Sequence, residues 1–367
     1  MVPVKRRRFL QTLAVASIGP WLSACAGEDR QAGEPFEEED ETQSLAQAAA
    51  ASGRGFGAAV NAGTLRTRSH GYRAVLGQCS SVTPEWSLKW DRLCPRPGRY
   101  DFHEADRIAD FARGQGKRMR GHTLLWHLGM PRWADALLAD TREWGHVRSY
   151  FHTVMPRYAD VVDEWDVVNE PIEPNHGGNG LRQNQFYKAF GEAYIERALE
   201  AAKARAPRAR MVINEYGLEY NSGYEGQRRL SLLRLLERLR SRGAPVDTVG
   251  LQAHLDLRKG NVYADGIYGM MRDIRGMGLK VAITELDVAE ANTGLSIERR
   301  DALVADETRR YLDIVLQFNN VLGVSTWGLS DSHSWLRTQR SASNRGLPYD
   351  REWQAKPMHS AILTAFA

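Results

Sequence analysis

From about Leu45 to Ala367, eight short apolar runs alternate with longer amphipathic stretches, and this rhythm constrains the fold more than any other feature of the sequence. The runs are GFGAAV (55–60), AVLGQCSSV (74–82), RMRGHTLLW (118–126), VVDEWDVVN (161–169), RMVINEY (210–216), TVGLQAHL (248–255), KVAITELDV (280–288) and VLGVSTWGL (321–329). Apolar runs of this length suit strands buried on both faces, as parallel sheets require. The stretches between them carry helical spacing. Ile108 and Phe111 share a face, Phe190, Tyr194 and Ala198 fall at i, i+4 and i+8, and the 228–243 stretch closes on Gly243. Eight strand–helix units in roughly 320 residues predict one α/β domain, a (β/α)8 TIM barrel over 45–367. A doubly wound open sheet would bring a glycine-rich phosphate turn, and the chain has neither G-x-G-x-x-G nor a P-loop.

The first 44 residues read differently. Lys5 and Arg6 to Arg8 precede a short apolar segment that ends in Leu22-Ser23-Ala24-Cys25. A basic start and a short apolar run predict an export signal over 1–24, too short to span a bilayer as a helix. The order Arg6-Arg7-x-Phe9-Leu10 resembles a twin-arginine signal, and LSAC resembles a lipoprotein box in which Cys25 takes the lipid. Residues 25–44 read as a disordered acidic tether, with eight acids, one Arg and one aromatic residue between Ala26 and Ser44. The expected location is the cell envelope, in the periplasm or at the outer membrane or cell surface. Membrane contact would come only through the lipid on Cys25. The chain has 49 Lys and Arg against 45 Asp and Glu, and four of the cations lie in 1–24, so the remainder is neutral. That balance gives no argument for a nucleic-acid partner. Cys79 and Cys94 suit a disulfide or two buried thiols equally.

In a barrel, function gathers at the C-terminal ends of the strands. There the sequence places Glu85 and Lys89, then His122, Trp126 and His127, then Asn169 and Glu170. Further on come Asn214 and Glu215, Gln252 and His254, Glu285 and Asp287, and Trp327, Asp331 and Trp335. Packing needs none of these, and burying them unpaired costs several kcal/mol each. His122 and His127 are poorly spaced to chelate, so no metal is expected; no cofactor motif or nucleophile elbow is present. Glu170 and Glu285, set among indoles and amides, suit glycoside hydrolysis, in which one carboxyl protonates the leaving oxygen and the other attacks.

The strings VTPEWSLKW, GHTLLWH, WDVVNEP, GLQAHL, ITELDV and WGLSDSHSW, in this order, resemble glycoside hydrolase family 10, the retaining endo-β-1,4-xylanases. The resemblance implies that Glu170 is the general acid/base and Glu285 the nucleophile, with Asn169, His254 and Asp287 in support. It implies that Glu85, Lys89, His122, Trp126, Gln252, Trp327 and Trp335 bind the sugars of a polysaccharide, xylan or a related β-glycan. A monomer is expected. Two positions depart from the family pattern. Trp86 stands where members carry Asn in T-x-E-N-x-x-K-W, and Gly129 where they carry Gln in W-H-x-Q. Both concern sugar recognition, so an alternative is the same chemistry on another β-glycan, such as a bacterial exopolysaccharide. A catalytically dead glycan-binding lipoprotein would be expected to have lost Glu170, Glu285 or His254.

Overall fold

The computed structural model describes residues 43–66, 69–290 and 294–367. The expected export signal, Cys25 and nearly all of the acidic tether lie outside the described residues. The domain opens with the helix Leu45–Ala51, started by Ser44. The Ser44 hydroxyl accepts from Gln47 N at 3.2 Å while Gln47 Oε1 accepts from Ser44 N at 2.7 Å. This reciprocal pair satisfies two amides that the start of a helix leaves bare.

Ten strand segments follow: β1 (Gly55–Val60), β2 (Ser81–Pro84), β3 (Arg118–Gly121), β4 (Leu125–Trp126), β5 (Val162–Asn169), β6 (Arg210–Glu215), β7 (Thr248–Leu251), β8 (His254–Asp256), β9 (Lys280–Ala289) and β10 (Val321–Thr326). All pair in parallel, and β10 pairs with both β9 and β1, which closes the ring. Segments β3 and β4 both pair with β5, and β7 and β8 both pair with β9. Each couple is one interrupted stave, so the barrel has eight. It is a (β/α)8 TIM barrel. The helix Pro357–Phe366 packs against Ile297–Val315 and against Leu45–Ala51, joining the two ends of the helical ring. It buries Met358, Ile362 and Phe366, each worth about 1.5–3 kcal/mol of apolar burial.

One expected strand is half helix. In the 74–82 run, residues up to Gln78 belong to the helix His70–Gln78, and the strand begins only at Ser81. Ser69 caps that helix by accepting from Tyr72 N at 3.0 Å. Val75 is buried while Leu76 is 38% exposed, so the run has one apolar face, as a helix does. The 118–126 and 248–255 runs each break in two, and Trp327 to Leu329 lie past the end of β10. Cys79 and Cys94 are both buried free thiols.

Candidate active site

The parallel register sets Asn169 beside Asn214 and His254 beside Asp287, so polar residues at the strand ends converge on the barrel mouth. Glu170 is the first residue beyond β5. Its backbone is left-handed, with φ 58°, and its N–H donates to Asn214 O at 2.8 Å. That conformation costs a non-glycine residue about 1–3 kcal/mol and persists where the surroundings impose it. Asn169 Nδ2 donates to Glu170 Oε1 at 3.2 Å, and Gln252 Nε2 reaches the same oxygen at 3.3 Å. The other oxygen, Oε2, lies 3.9 Å from His127 Nδ1, beyond hydrogen-bond range. Burial, with the fields of Arg182 and His176, pushes His127 down to about 4, so its ring is neutral at ordinary pH.

Glu285, on β9, is held on both oxygens. Asn214 Nδ2 donates to Oε1 at 2.8 Å, and His254 Nε2 lies 3.2 Å from Oε2. His254 Nδ1 lies 2.8 Å from Asp287 Oδ1, and Asp287 Oδ2 accepts from Trp335 Nε1 at 2.6 Å. Burial works against a charged imidazole, yet Asp287 and Glu285 raise His254 well above its ordinary value, so both ring nitrogens donate. Burial would likewise raise Glu285. The bond from His254, nearby His122 and the Asn214 amide outweigh it and hold the carboxyl down at about 2. This is a permanently charged carboxylate in a buried place, which its hydrogen-bond donors make tenable.

Asn214 is itself oriented by the Thr284 hydroxyl, which donates to Asn214 Oδ1 at 2.8 Å. Gly250 lies opposite it on β7, where a Cβ would come within 2.2 Å of that Oδ1. Ala253 between β7 and β8 is left-handed at φ 59°, and this kink separates Gln252, which serves Glu170, from His254, which serves Glu285. Both glutamates line one cleft of about 440 Å³. Its walls include Trp86, Lys89, His122, Trp126, Asn169, Gln252, His254, Trp327 and Trp335, together with Leu128, Tyr216, Thr338 and Gln339. The glycosyl hydrolase family 10 model matches residues 44–365. The chain belongs to glycosyl hydrolase family 10.

It is therefore a glycoside hydrolase. Endo-1,4-beta-xylanase A of Phanerodontia chrysosporium is 31% identical over 318 residues, 85% of this chain and 74% of that protein. Endo-1,4-beta-xylanase 3 of Hypocrea jecorina is 33% identical over 313 residues, 84% of this chain and 81% of that protein. Among solved structures, native xylanase 10B from Thermotoga maritima superposes with a TM-score of 0.79 at 27% identity, covering 88% of this chain and 98% of that one. Xylanase 10B from Thermotoga petrophila, solved with xylobiose, gives 0.79 at 26% identity over 89% and 98% of the two chains.

The two departures of this family 10 hydrolase meet in one place. Lys89 Nζ lies 3.9 Å from the Trp86 ring centre, 4.3 Å from Trp126 and 5.9 Å from Trp327. Burial lowers this ammonium to about 8 against the pull of Glu285, Glu85 and Glu170. A Cβ on Gly129 would stand 3.1 Å from the Trp126 ring and 3.4 Å from Lys89 Cβ, a close fit that a larger residue meets only if the ring shifts by a few tenths of an ångström. Trp86 thus lays aromatic surface along this side of the cleft, 45% exposed. Of the expected barrel-mouth site residues, Glu85 and Asp287 do not line the cleft: Asp287 lies buried behind His254, and Glu85 Oε2 meets Asn61 Nδ2 at 3.5 Å.

Two further residues support the site. Asn214 was visible only as one more amide at a strand end. Asp166 is buried inside β5, 2.8 Å from His122 Nδ1 and bonded to Arg120. Its signal, an acid within an apolar run, was present in VVDEWDVVN. Glu215 does not join the cleft. It pairs with buried Arg228 and accepts from Ile172 N at 2.8 Å and Tyr216 N at 3.0 Å.

Proposed function

We propose that this protein is a retaining endo-β-1,4-xylanase that works by double displacement with Glu285 as nucleophile and Glu170 as acid/base. The observation that carries the assignment is the asymmetry of the two glutamates. Glu285 is kept ionised by His254 and Asn214, whereas Glu170 meets only amides on one oxygen and, 3.9 Å from the other, Nδ1 of the neutral His127 ring.

In the first step Glu285 attacks the anomeric carbon, the glycosidic C–O bond breaks, and Glu170 gives its proton to the departing oxygen. The resulting glycosyl ester is then attacked by water. Glu170, now a carboxylate, takes a proton from that water as the bond to Glu285 breaks. Asn169, fixed through Asn214, stands beside the ring under attack, where a hydrogen bond to a sugar hydroxyl strengthens as positive charge develops. Trp126, Trp327, Trp335 and Trp86 offer faces to sugar rings, and Lys89, His122 and Gln252 offer donors to hydroxyls. Glu85 would act from outside the lining, through Lys89.

The test is a panel of linear xylan, glucuronoxylan, arabinoxylan, mixed-linkage glucan and acidic bacterial exopolysaccharides, scored by reducing ends and product mass beside Glu285→Ala. Short xylo-oligomers from the wild type and none from the variant are expected. Release from another polymer with xylan untouched would reject xylan as the substrate while leaving the mechanism standing. Trp86 and Gly129 favour that second reading, because recognition of a hydroxyl depends on its paired polar groups.

Export through the twin-arginine-like signal and lipid attachment at Cys25 belong to the same proposal, supported by the order of residues in 1–25. Fatty-acid labelling of the full chain, absent in Cys25→Ser, is the expected result. Unchanged labelling in that variant would reject the anchor.

A further inference from the structure

Outside the cleft, a second hollow of about 510 Å³ lies between the helices Arg132–Thr141 and Gln185–Phe190. Its walls include His127, Arg142, His176, Arg182 and Lys188, with Asp135 as the single acid. It shares no wall residue with the catalytic cleft, yet it adjoins the acid/base. His127 stands 3.9 Å from Glu170 Oε2, and Arg182 Nε donates to Glu170 O at 2.8 Å. Arg182 is locked further by Ile172 O at 3.2 Å and Tyr216 OH at 3.0 Å, with Glu173 at 3.7 Å behind it. The Arg142 and Lys188 side chains are exposed, and neither has an ion-pair partner among the described residues.

Arg142 and Lys188, unpaired among the described residues, therefore stand beside Arg182, which Glu173 partly balances, with Asp135 as the one carboxylate in the wall, and the concave surface focuses a positive potential there. The barrel as a whole leans the same way. Residues 45–367 hold 44 Lys and Arg against 37 Asp and Glu, because 1–44 contain five of the 49 cations and eight of the 45 acids. A neutral xylose chain brings nothing to such a surface. The hollow adjoins the cleft at Glu170, through His127 and Arg182, and shares no wall residue with it, so the group taken to reach it is a branch on the chain being cut.

We infer that this basic hollow is a carboxylate-recognising subsite, which takes the uronic acid side group of a substituted xylan beside the acid/base. Glu170 delivers its proton to the leaving portion of the chain, so the branch it accommodates belongs to that portion. The inference rests on the xylanase reading and extends it from tolerance of side groups to electrostatic preference for charged ones.

The test compares glucuronoxylan with the same polymer after its uronic acids have been reduced to primary alcohols, using the wild type and the Arg142→Ala/Lys188→Ala variant. Neither residue has been placed in the catalytic machinery, and both are solvent-exposed. The wild type is expected to favour the acidic polymer in kcat/KM, and the advantage should shrink as salt is added. The double variant should lose about fivefold on the acidic polymer, the scale of two partly screened ion pairs, and stay within about twofold on the reduced one. Equal rates on the two polymers in the wild type, or equal falls in the variant, would overturn the subsite while leaving the xylanase intact. If the wild type cuts neither polymer, the xylanase reading fails and the subsite with it.

Discussion

A single amide group, Nδ2 of Asn214, donates at 2.8 Å to Asn169 Oδ1 and at 2.8 Å to Glu285 Oε1. Glu285 on β9 and Asn169, beside Glu170 at the end of β5, are thereby held by one side chain on β6. A hydrogen bond to a charged group is worth about 1.5–3 kcal/mol. Asn214→Ala is therefore expected to lower kcat on xylan by roughly 10- to 100-fold with KM little changed. Wild-type kcat in that variant would mean that the bridge has no catalytic weight.

Removing either glutamate should separate the two steps. With an aryl xylobioside, whose leaving group needs little protonation, Glu170→Ala should still form the glycosyl ester and then stall, giving a burst. On xylan the same variant should lose about 10²- to 10⁴-fold, the usual contribution of a general acid/base. Glu285→Ala should show neither burst nor turnover. A burst in Glu285→Ala would reverse the two assignments.

The pH dependence follows from the Glu285–His254–Asp287 chain. Glu285 titrates below its ordinary value, near 2. Its contribution to stability is present above the unfolded value and is lost as pH falls toward that lowered one. His254 is shifted upward, so its contribution is complete below its unfolded value and is lost as pH rises through the raised one. Loss of the His254 donor in His254→Ala should move the acid limb of the kcat/KM profile to higher pH. An acid limb that stays in place would show that the imidazole does not hold the nucleophile ionised.

Trp86 is the position at which this chain can be tuned. Its ring covers Lys89 Nζ at 3.9 Å, a contact worth about 0.5–2 kcal/mol. Opening that side in Trp86→Asn should relieve the burial that lowers the ammonium to about 8 and move any alkaline limb governed by Lys89 upward. KM for short xylo-oligosaccharides should change by about two- to tenfold with kcat nearly constant. Unaltered KM and unaltered pH profile together would make Trp86 a surface residue and nothing more.

Glu215 provides the structural contrast. It is buried with Arg228, and burial pushes its carboxyl up to about 7 against that guanidinium. Arg228→Ala strands a buried acid, a change that costs about 3–5 kcal/mol, so a marked drop in Tm is expected. A Tm within a degree of wild type would contradict the buried pair.

Most of the barrel was legible because a strand covered on both faces leaves an apolar run whatever its neighbours are. Residues 74–82 misled because a helix with one buried face and a short buried strand both produce a few apolar residues, and the Ser69 cap that separates them lies outside the run. Glu170, Glu285, His254 and Trp335 stood out as polar or aromatic residues at strand ends. Asn214 stood among them without its role, and Asp166 did not stand out, since their partners come from other strands and only the register brings them together. The basic hollow had no linear signature at all, because Arg142 at the end of one helix comes together with Arg182 and with Lys188 in another helix further along the chain.

The two barrel cysteines carry one last implication. Cys79 and Cys94 are free and buried, and burial raises the Cys79 thiol to about 12, leaving almost no thiolate to be oxidised. The barrel can therefore mature in reducing surroundings without a thiol oxidant or a disulfide isomerase. A cell could complete and proofread it in the compartment where it is synthesised, and recombinant material from an ordinary cytoplasm should need no oxidative refolding.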